Sequence, residues 1–197
     1  MMAVWDEELI RYGVKIILRR KTFIDRLNEI SSRIHREITE GKEELRIEYD
    51  SNIPYREDPM ELADLFREKL ESSRETELFR KITSCGPQRD DLKVTIGGVD
   101  VRKYGSQGQQ RTAAISMKLA EITLIEEEIG EKPILILDDA LSELDQSRQR
   151  YLIQALKGTQ IFLTSTTIGQ DILDQFPEKA IYEIQDGTII KSQSASK

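Results

Sequence analysis

The segment Ile134-Leu135-Ile136-Leu137-Asp138-Asp139 constrains the fold more than any other part of the sequence. Four consecutive apolar residues behind Pro133 suit a strand buried on both faces, in a sheet covered by helices on each side. Ligands of open α/β sheets bind beyond the carboxyl ends of the strands, so Asp138 and Asp139 are expected at that edge. Mg²⁺ takes few carboxylates and leaves its other positions to water and phosphate oxygens. A second acid beside it is placed to orient or deprotonate an attacking water. Alone, the segment equally suits a buried strand running into an acidic loop. Ser142-Glu143-Leu144-Asp145 follows, and its serine and aspartate suit entry into a helix from Gln146 to Leu156.

Further strands are expected at Ile161–Leu163, Ala180–Ile184 and Thr188–Ile190, and Asp91–Val101 reads as a hairpin turning at Gly97-Gly98. The alternation of strands and helices gives an α/β class. Between them, Tyr104-Gly105-Ser106-Gln107-Gly108-Gln109-Gln110-Arg111 opens a helix expected from about Gln109 to Ile129. A helix start carries unpaired N–H groups and partial positive charge, which suit an anion. Gly105 and Gly108 allow close approach to the backbone, and Ser106 either caps the helix or donates to a phosphate oxygen. An ordinary Gly/Ser cap has the same composition.

The first eighty residues read differently. A long helix is expected from Val4 to Glu40, with Leu9, Ile16, Phe23, Leu27, Ile30, Ile34 and Ile38 on one stripe and Gly41 as its stop. A short strand at Leu45–Tyr49, turns over Asn52–Pro59 and a helix over Met60–Phe79 complete this part. The expected organisation is a helical lobe over 1–84, a hairpin and helix over 85–130, an acidic-strand lobe over 131–191 and a disordered tail over 192–197. Arg11, Lys15, Arg19, Arg26 and Arg33 share a sector of the first helix that suits phosphate tracking. Interleaved acids make a solvated, ion-paired face the weightier reading, and a net charge of −7 argues against a generally basic surface. Arg102, Lys103 and Arg111 are the other cations placed to meet DNA or a partner subunit. His35, the only histidine, is expected to serve packing, and the single cysteine, Cys85, excludes an internal disulfide. No apolar run approaches the roughly 20 residues of a membrane span, and the start lacks a leader pattern. The expectation is a cytoplasmic protein.

Taken together, Ser106 to Arg111, Ile134 to Asp139 and Ser142 to Asp145 resemble the signature, Walker B and D-loop motifs of ABC-type ATPases. Gly86-Pro87-Gln88-Arg89-Asp90-Asp91-Leu92 and Tyr104 to Thr112 narrow the resemblance to the RecF family of bacterial recombination mediators. It covers essentially the whole chain, including Trp5-Asp6 and Ile34 to Thr39. The resemblance implies an ABC-type ATPase head fragment, a partial P-loop NTPase sheet with an N-terminal mostly helical lobe. It implies that Asp138 holds Mg²⁺ and its water shell, with Asp139 at the catalytic carboxylate position. Ser106, Gln107, Gly108 and Gln109 form the signature, of which Ser106, Gly108 and Gln109 contact the γ-phosphate of ATP held by the other protomer of a homodimer. Asp145 lies at that dimer interface, and Thr164 follows the next strand, where many ABC proteins have a switch histidine. DNA at gaps or duplex/single-strand junctions and mediator proteins such as RecR and RecO are the implied partners. Three departures point to slow hydrolysis: Gln107 for the usual glycine, Asp139 for glutamate, and no histidine near Thr164.

A phosphate-binding loop, G-x-x-x-x-G-K-[ST], is absent from the sequence: the only Gly-Lys, Gly41-Lys42, is followed by Glu43 and preceded five back by Arg36. It is expected upstream of Met1, which leaves this piece alone with little ATPase activity. A different class of function, a non-catalytic module binding mediators or a sliding clamp, stays open. A head fragment of an SMC-like protein is disfavoured by the lack of long heptad arms.

Overall fold

A computed structural model describes residues 2–141 and 144–195. They form two compact units that divide between Glu128 and Ile129, and the α/β class expected from the sequence holds in both.

The first unit is built on α1, Met2–Ile38. Its buried seam runs through Ile10, Val14, Ile17, Ile24, Leu27 and Ile30. The expected stripe is therefore half corrected: Ile17 is fully buried, whereas Ile16 is 42% and Phe23 45% exposed. Leu9, Ile16 and Phe23 and their immediate successors form two parallel apolar rows about 100° apart on the helix. Of the second row, Ile10 and Ile17 share a core with α2, Pro59–Arg80, and Ile24 joins the core of the sheet. Phe66 of α2 is fully buried in the first of these cores and lies against Gly13, where a Cβ would fall 2.4 Å from its ring. Asp58 caps α2, accepting from Met60 N–H at 3.0 Å.

The helical half of α1 beyond Ile24 covers a three-stranded antiparallel sheet of β1 (Leu45–Asp50), β2 (Asp91–Ile96) and β3 (Val99–Asp100). Leu45 faces Ile96 and Ile47 faces Val94 across the β1–β2 ladder. Residues on both sides of position 84 thus share one sheet and one core. The free edge of β1 is closed by α1 itself: Ile47 N–H donates to Asn28 Oδ1 at 2.7 Å and Ser32 Oγ donates to Leu45 O at 2.6 Å, which satisfies groups an edge strand leaves open. Gly97 and Gly98, φ 57° and 81°, make the tight turn of the expected hairpin. Behind it come a short helix α3 (Val101–Tyr104) and the long α4 (Gln107–Ile129).

Tyr49 of β1 donates its hydroxyl to Asp90, which also accepts from Asn52 N–H at 2.7 Å. Burial, and after it the bond to Asp90, pushes the phenol up from its ordinary value of 10 to about 12. A group raised on folding stabilises the fold fully below pH 10, and that contribution is lost as pH rises from 10 to about 12. Tyr49→Phe is expected to flatten this alkaline limb in denaturant midpoints measured between pH 9 and 12, at some loss of stability at neutral pH.

The second unit holds β4 (Leu135–Asp138) and β5 (Ile161–Thr164), parallel and in register from Leu135–Ile161 to Asp138–Thr164. They are joined through α5 (Gln146–Ala155). Leu141, Leu152, Ile153, Leu156 and Ile172 form its buried apolar set, the last from α6 (Gln170–Leu173). The expectation of a sheet covered on both faces is corrected: Ile134, Ile136 (77%) and Phe162 (56%) are exposed, while Leu135, Leu137, Ile161 and Leu163 are half-buried. A four-residue apolar run suits burial on both faces, but among the described residues only one row of the pair is partly withdrawn from solvent. A second hairpin, β6 (Lys179–Gln185) and β7 (Thr188–Ala195), turns at Asp186-Gly187. The tail expected to be disordered from Ser192 instead extends β7, because ladder bonds to β6 need backbone groups and not apolar side chains. No helix among the described residues is long and apolar enough to cross a membrane.

Candidate functional site

In the first unit the candidate site is the loop entering α4. Asp100 caps α3, accepting from Lys103 N–H at 3.0 Å, and Gly105 N–H closes that turn on Val101 O. A Cβ on Gly105 would fall 2.5 Å from the same carbonyl, so the turn admits only glycine there without a backbone shift. Ser106 is the cap of α4, which starts at Gln107, two residues earlier than expected. Gln109 N–H donates to Ser106 Oγ at 3.2 Å while Ser106 N–H donates to Gln109 Oε1 at 3.0 Å. This reciprocal capping box satisfies two of the open donors of the helix start. Gln110 braces the loop further, donating from Nε2 to Val101 O and Gly105 O at 3.1 and 3.3 Å. Among the described residues nothing accepts from the N–H of Gln107 or Gly108, so these donors face outward with the Ser106 hydroxyl. The arrangement suits an oxyanion.

In the second unit the candidate site is the carboxyl end of the β4–β5 pair. Thr164 Oγ1 donates to Asp138 Oδ1 at 2.5 Å, and Asp139 N–H points at both Thr164 O and Thr164 Oγ1, each 3.1 Å away. Adjacent parallel strands in register thus set Asp138, Asp139 and Thr164 as one exposed cluster. Asp139 has φ 48°, in the left-handed region, where aspartate is tolerated better than glutamate. The backbone therefore gives a local reason for the shorter acid. No group of three or more His, Cys, Asp or Glu residues able to hold a metal occurs among the described residues. That donor set does not make an all-protein cage; it fits Mg²⁺ held by one carboxylate with water and phosphate completing its shell.

Asp145 caps α5, accepting from Arg148 N–H at 3.0 Å, and this bond, with the Arg148 guanidinium beside it, holds its carboxyl below the ordinary value. Ser142 and Glu143 lie outside the described residues. Several of the cations singled out for DNA are in ion pairs: Arg11 with Glu8 at 3.1 Å, Arg19 with Glu128 at 3.6 Å, Arg26 with Glu127 at 2.5 Å. Arg102 meets Asp91 at 3.0 Å and Lys103 meets Asp100 at 3.7 Å, while Lys15 lies over the Tyr12 ring. Such exposed pairs contribute about 0–1 kcal/mol each, and they match a solvated, charge-laced face. Sequence reasoning missed Glu43, whose Oε1 accepts from Gln109 Nε2 at 2.9 Å. It lies in the turn after α1, and no local spacing links it to α4.

No family model matches the chain. The DNA replication and repair protein RecF of Lachnoclostridium phytofermentans is 43% identical over 190 residues, 96% of this chain and 51% of that protein. The protein of the same name from Lactococcus lactis subsp. cremoris is 46% identical over 194 residues, 98% of this chain and 51% of its own length. A solved structure of the recombination mediator protein RecF with ATP, described as belonging to the RecFOR pathway, aligns with a TM-score of 0.84 at 35% identity, covering 98% of this chain and 52% of that one. The chain spans about half the length of the curated relatives it matches.

Proposed function

Because this chain belongs to the RecF family of DNA replication and repair proteins, we propose that it supplies about half of each subunit of an ATP-gated dimer that assists recombinase loading at DNA gaps. The observation that carries the reading is the capped start of α4, with Ser106 hydroxyl and the Gln107 and Gly108 N–H groups facing outward. Three donors on a helix terminus offer a γ-phosphate directed bonds and a favourable dipole. Bound to the partner protomer's nucleotide, the loop makes the dimer contact depend on that phosphate. Asp145, at the start of α5, takes a place at the same interface.

At the other half-site Asp138 would hold Mg²⁺ through an oxygen not engaged by Thr164, and the bound ion would neutralise developing phosphate charge. Thr164 fixes the Asp138 carboxylate, and Asp139 orients the water. A carboxylate one methylene shorter than glutamate, held in a left-handed backbone, reaches less far toward that water. Slow turnover follows, with ATP acting as a switch for dimerisation. DNA, and mediator proteins such as RecR and RecO, complete the proposed assembly.

A phosphate cradle is not encoded in these residues, so the chain by itself is expected to hydrolyse ATP no faster than buffer in a phosphate-release assay. For the full-length protein, sedimentation with and without ATP tests the reading. ATP should shift monomer to dimer, and Asp138→Asn should weaken the Mg²⁺ dependence of that shift. Dimerisation indifferent to nucleotide sinks the switch and favours a non-catalytic interaction module.

A further inference from the structure

The loop that caps α4 is held from behind by residues that the proposed function does not use. Gln109 gives its Oε1 to Ser106 N–H at 3.0 Å and donates from Nε2 to Glu43 Oε1 at 2.9 Å, a residue 66 positions upstream. An amide has one acceptor end and one donor end, so anchoring Nε2 on Glu43 decides which end faces Ser106. Glu43 Oε2 lies 3.2 Å from His35 Nε2, and His35 Nδ1 lies 3.2 Å from Ser116 Oγ. Ser116 donates to Thr112 O at 2.8 Å, and Thr112 Oγ1 donates to Gly108 O at 2.7 Å. His35, Thr112 and Ser116 are fully buried, whereas Ser106 is exposed. A continuous polar line therefore runs from the core of the first unit to both sides of the loop.

We propose that Glu43, clamped by His35, is a positioning residue for the phosphate-facing loop. It holds Gln109 in the one orientation that satisfies Ser106 N–H internally, and so leaves the Gln107 and Gly108 N–H groups and the Ser106 hydroxyl as the donors presented outward. With the amide reversed, an NH₂ group would face Ser106 N–H, donor against donor, and the cap would open. Gln109 thus acts through the loop and is itself turned away from the phosphate. The proposal rests on the reading of this loop as a phosphate contact.

A charge swap in the full-length protein tests it. Gln109→Glu keeps a capping-box acceptor but sets two carboxylates against each other at Glu43. Adding Glu43→Gln restores one donor between them with the polarity reversed. ATP-driven dimerisation should weaken by about tenfold in the single variant and return to within about threefold of wild type in the double. Glu43→Gln alone, which keeps an acceptor for Gln109 Nε2, should stay close to wild type. A second readout, amide hydrogen exchange at Ser106 and Gln109 without nucleotide, should quicken in Gln109→Glu and recover in the swap. A Gln109→Glu protein that matches wild type in both readouts, or a swap as impaired as the single variant in both, overturns the proposal. Wild type that ignores ATP sinks the dimerisation reading alone, and the exchange data then decide the positioning role.

Discussion

Ser106→Arg is expected to abolish ATP-driven dimerisation of the full-length protein, weakening it by more than about a hundredfold. Each charge-assisted hydrogen bond to a phosphate contributes about 1.5–3 kcal/mol. A two-fold dimer uses the loop twice, so losing one such bond per site removes about 3–6 kcal/mol, or two to four powers of ten in affinity. The fold survives the change, because a lost N-cap costs about 1 kcal/mol and α4 is anchored by Ala113, Leu119, Ala120 and Leu124 in the core. The measurement is the ATP concentration dependence of the sedimentation coefficient, with circular dichroism as the check on folding. Dimerisation within threefold of wild type would remove the loop from the interface.

The second large effect concerns stability. Phe66→Ala should destabilise the first unit by about 3–5 kcal/mol, the range for truncating a buried aromatic residue. The ring is fully buried among Ile10, Val14, Ile17, Ile53, Leu62 and Leu70. Gly13 presses on one part of it and Gly86, which a Cβ would bring to 3.0 Å from the ring, on another. Two glycines around one phenylalanine leave no slack. Gly13→Ala alone is therefore expected to cost about 1–3 kcal/mol by overpacking, and less in a Phe66→Leu background, where the ring carbon it strikes is gone. Urea midpoints for the four proteins of this cycle measure the coupling. Strict additivity would mean that the contact does not limit the packing.

What was legible in the sequence was whatever depends on neighbours along the chain. The Asp145 cap, the Gly97-Gly98 turn and the β4 run each follow from a few adjacent residues, and the structure has them where expected. The choice between Ile16 and Ile17 was not of that kind. Both rows of α1 are apolar, and the packing of Phe66 against Gly13, a residue of a different element, selects between them. The left-handed backbone at Asp139 is likewise imposed by the bonds of its N–H to Thr164 across the ladder. At the two candidate sites, Ser106 in the first unit and Asp138, Asp139 and Thr164 in the second could be read from motif order. The support behind them could not, since Glu43 and His35 meet Gln109 and Ser116 only through the fold. His35 does serve the interior as expected, and it does so through polar contacts.

The uncovered apolar row of β4 and β5 has a consequence at the bench. Ile134, Ile136 and Phe162 invite self-association of a kind that sulfate and phosphate salts strengthen. Assemblies held by phosphate contacts respond oppositely, weakening as salt rises. A salt series therefore separates sheet-face association, of this chain or of the full-length protein, from the nucleotide-dependent dimer proposed for the full-length protein. Association that tightens in ammonium sulfate without nucleotide comes from the sheet face, and only a salt-sensitive, nucleotide-requiring species bears on the switch.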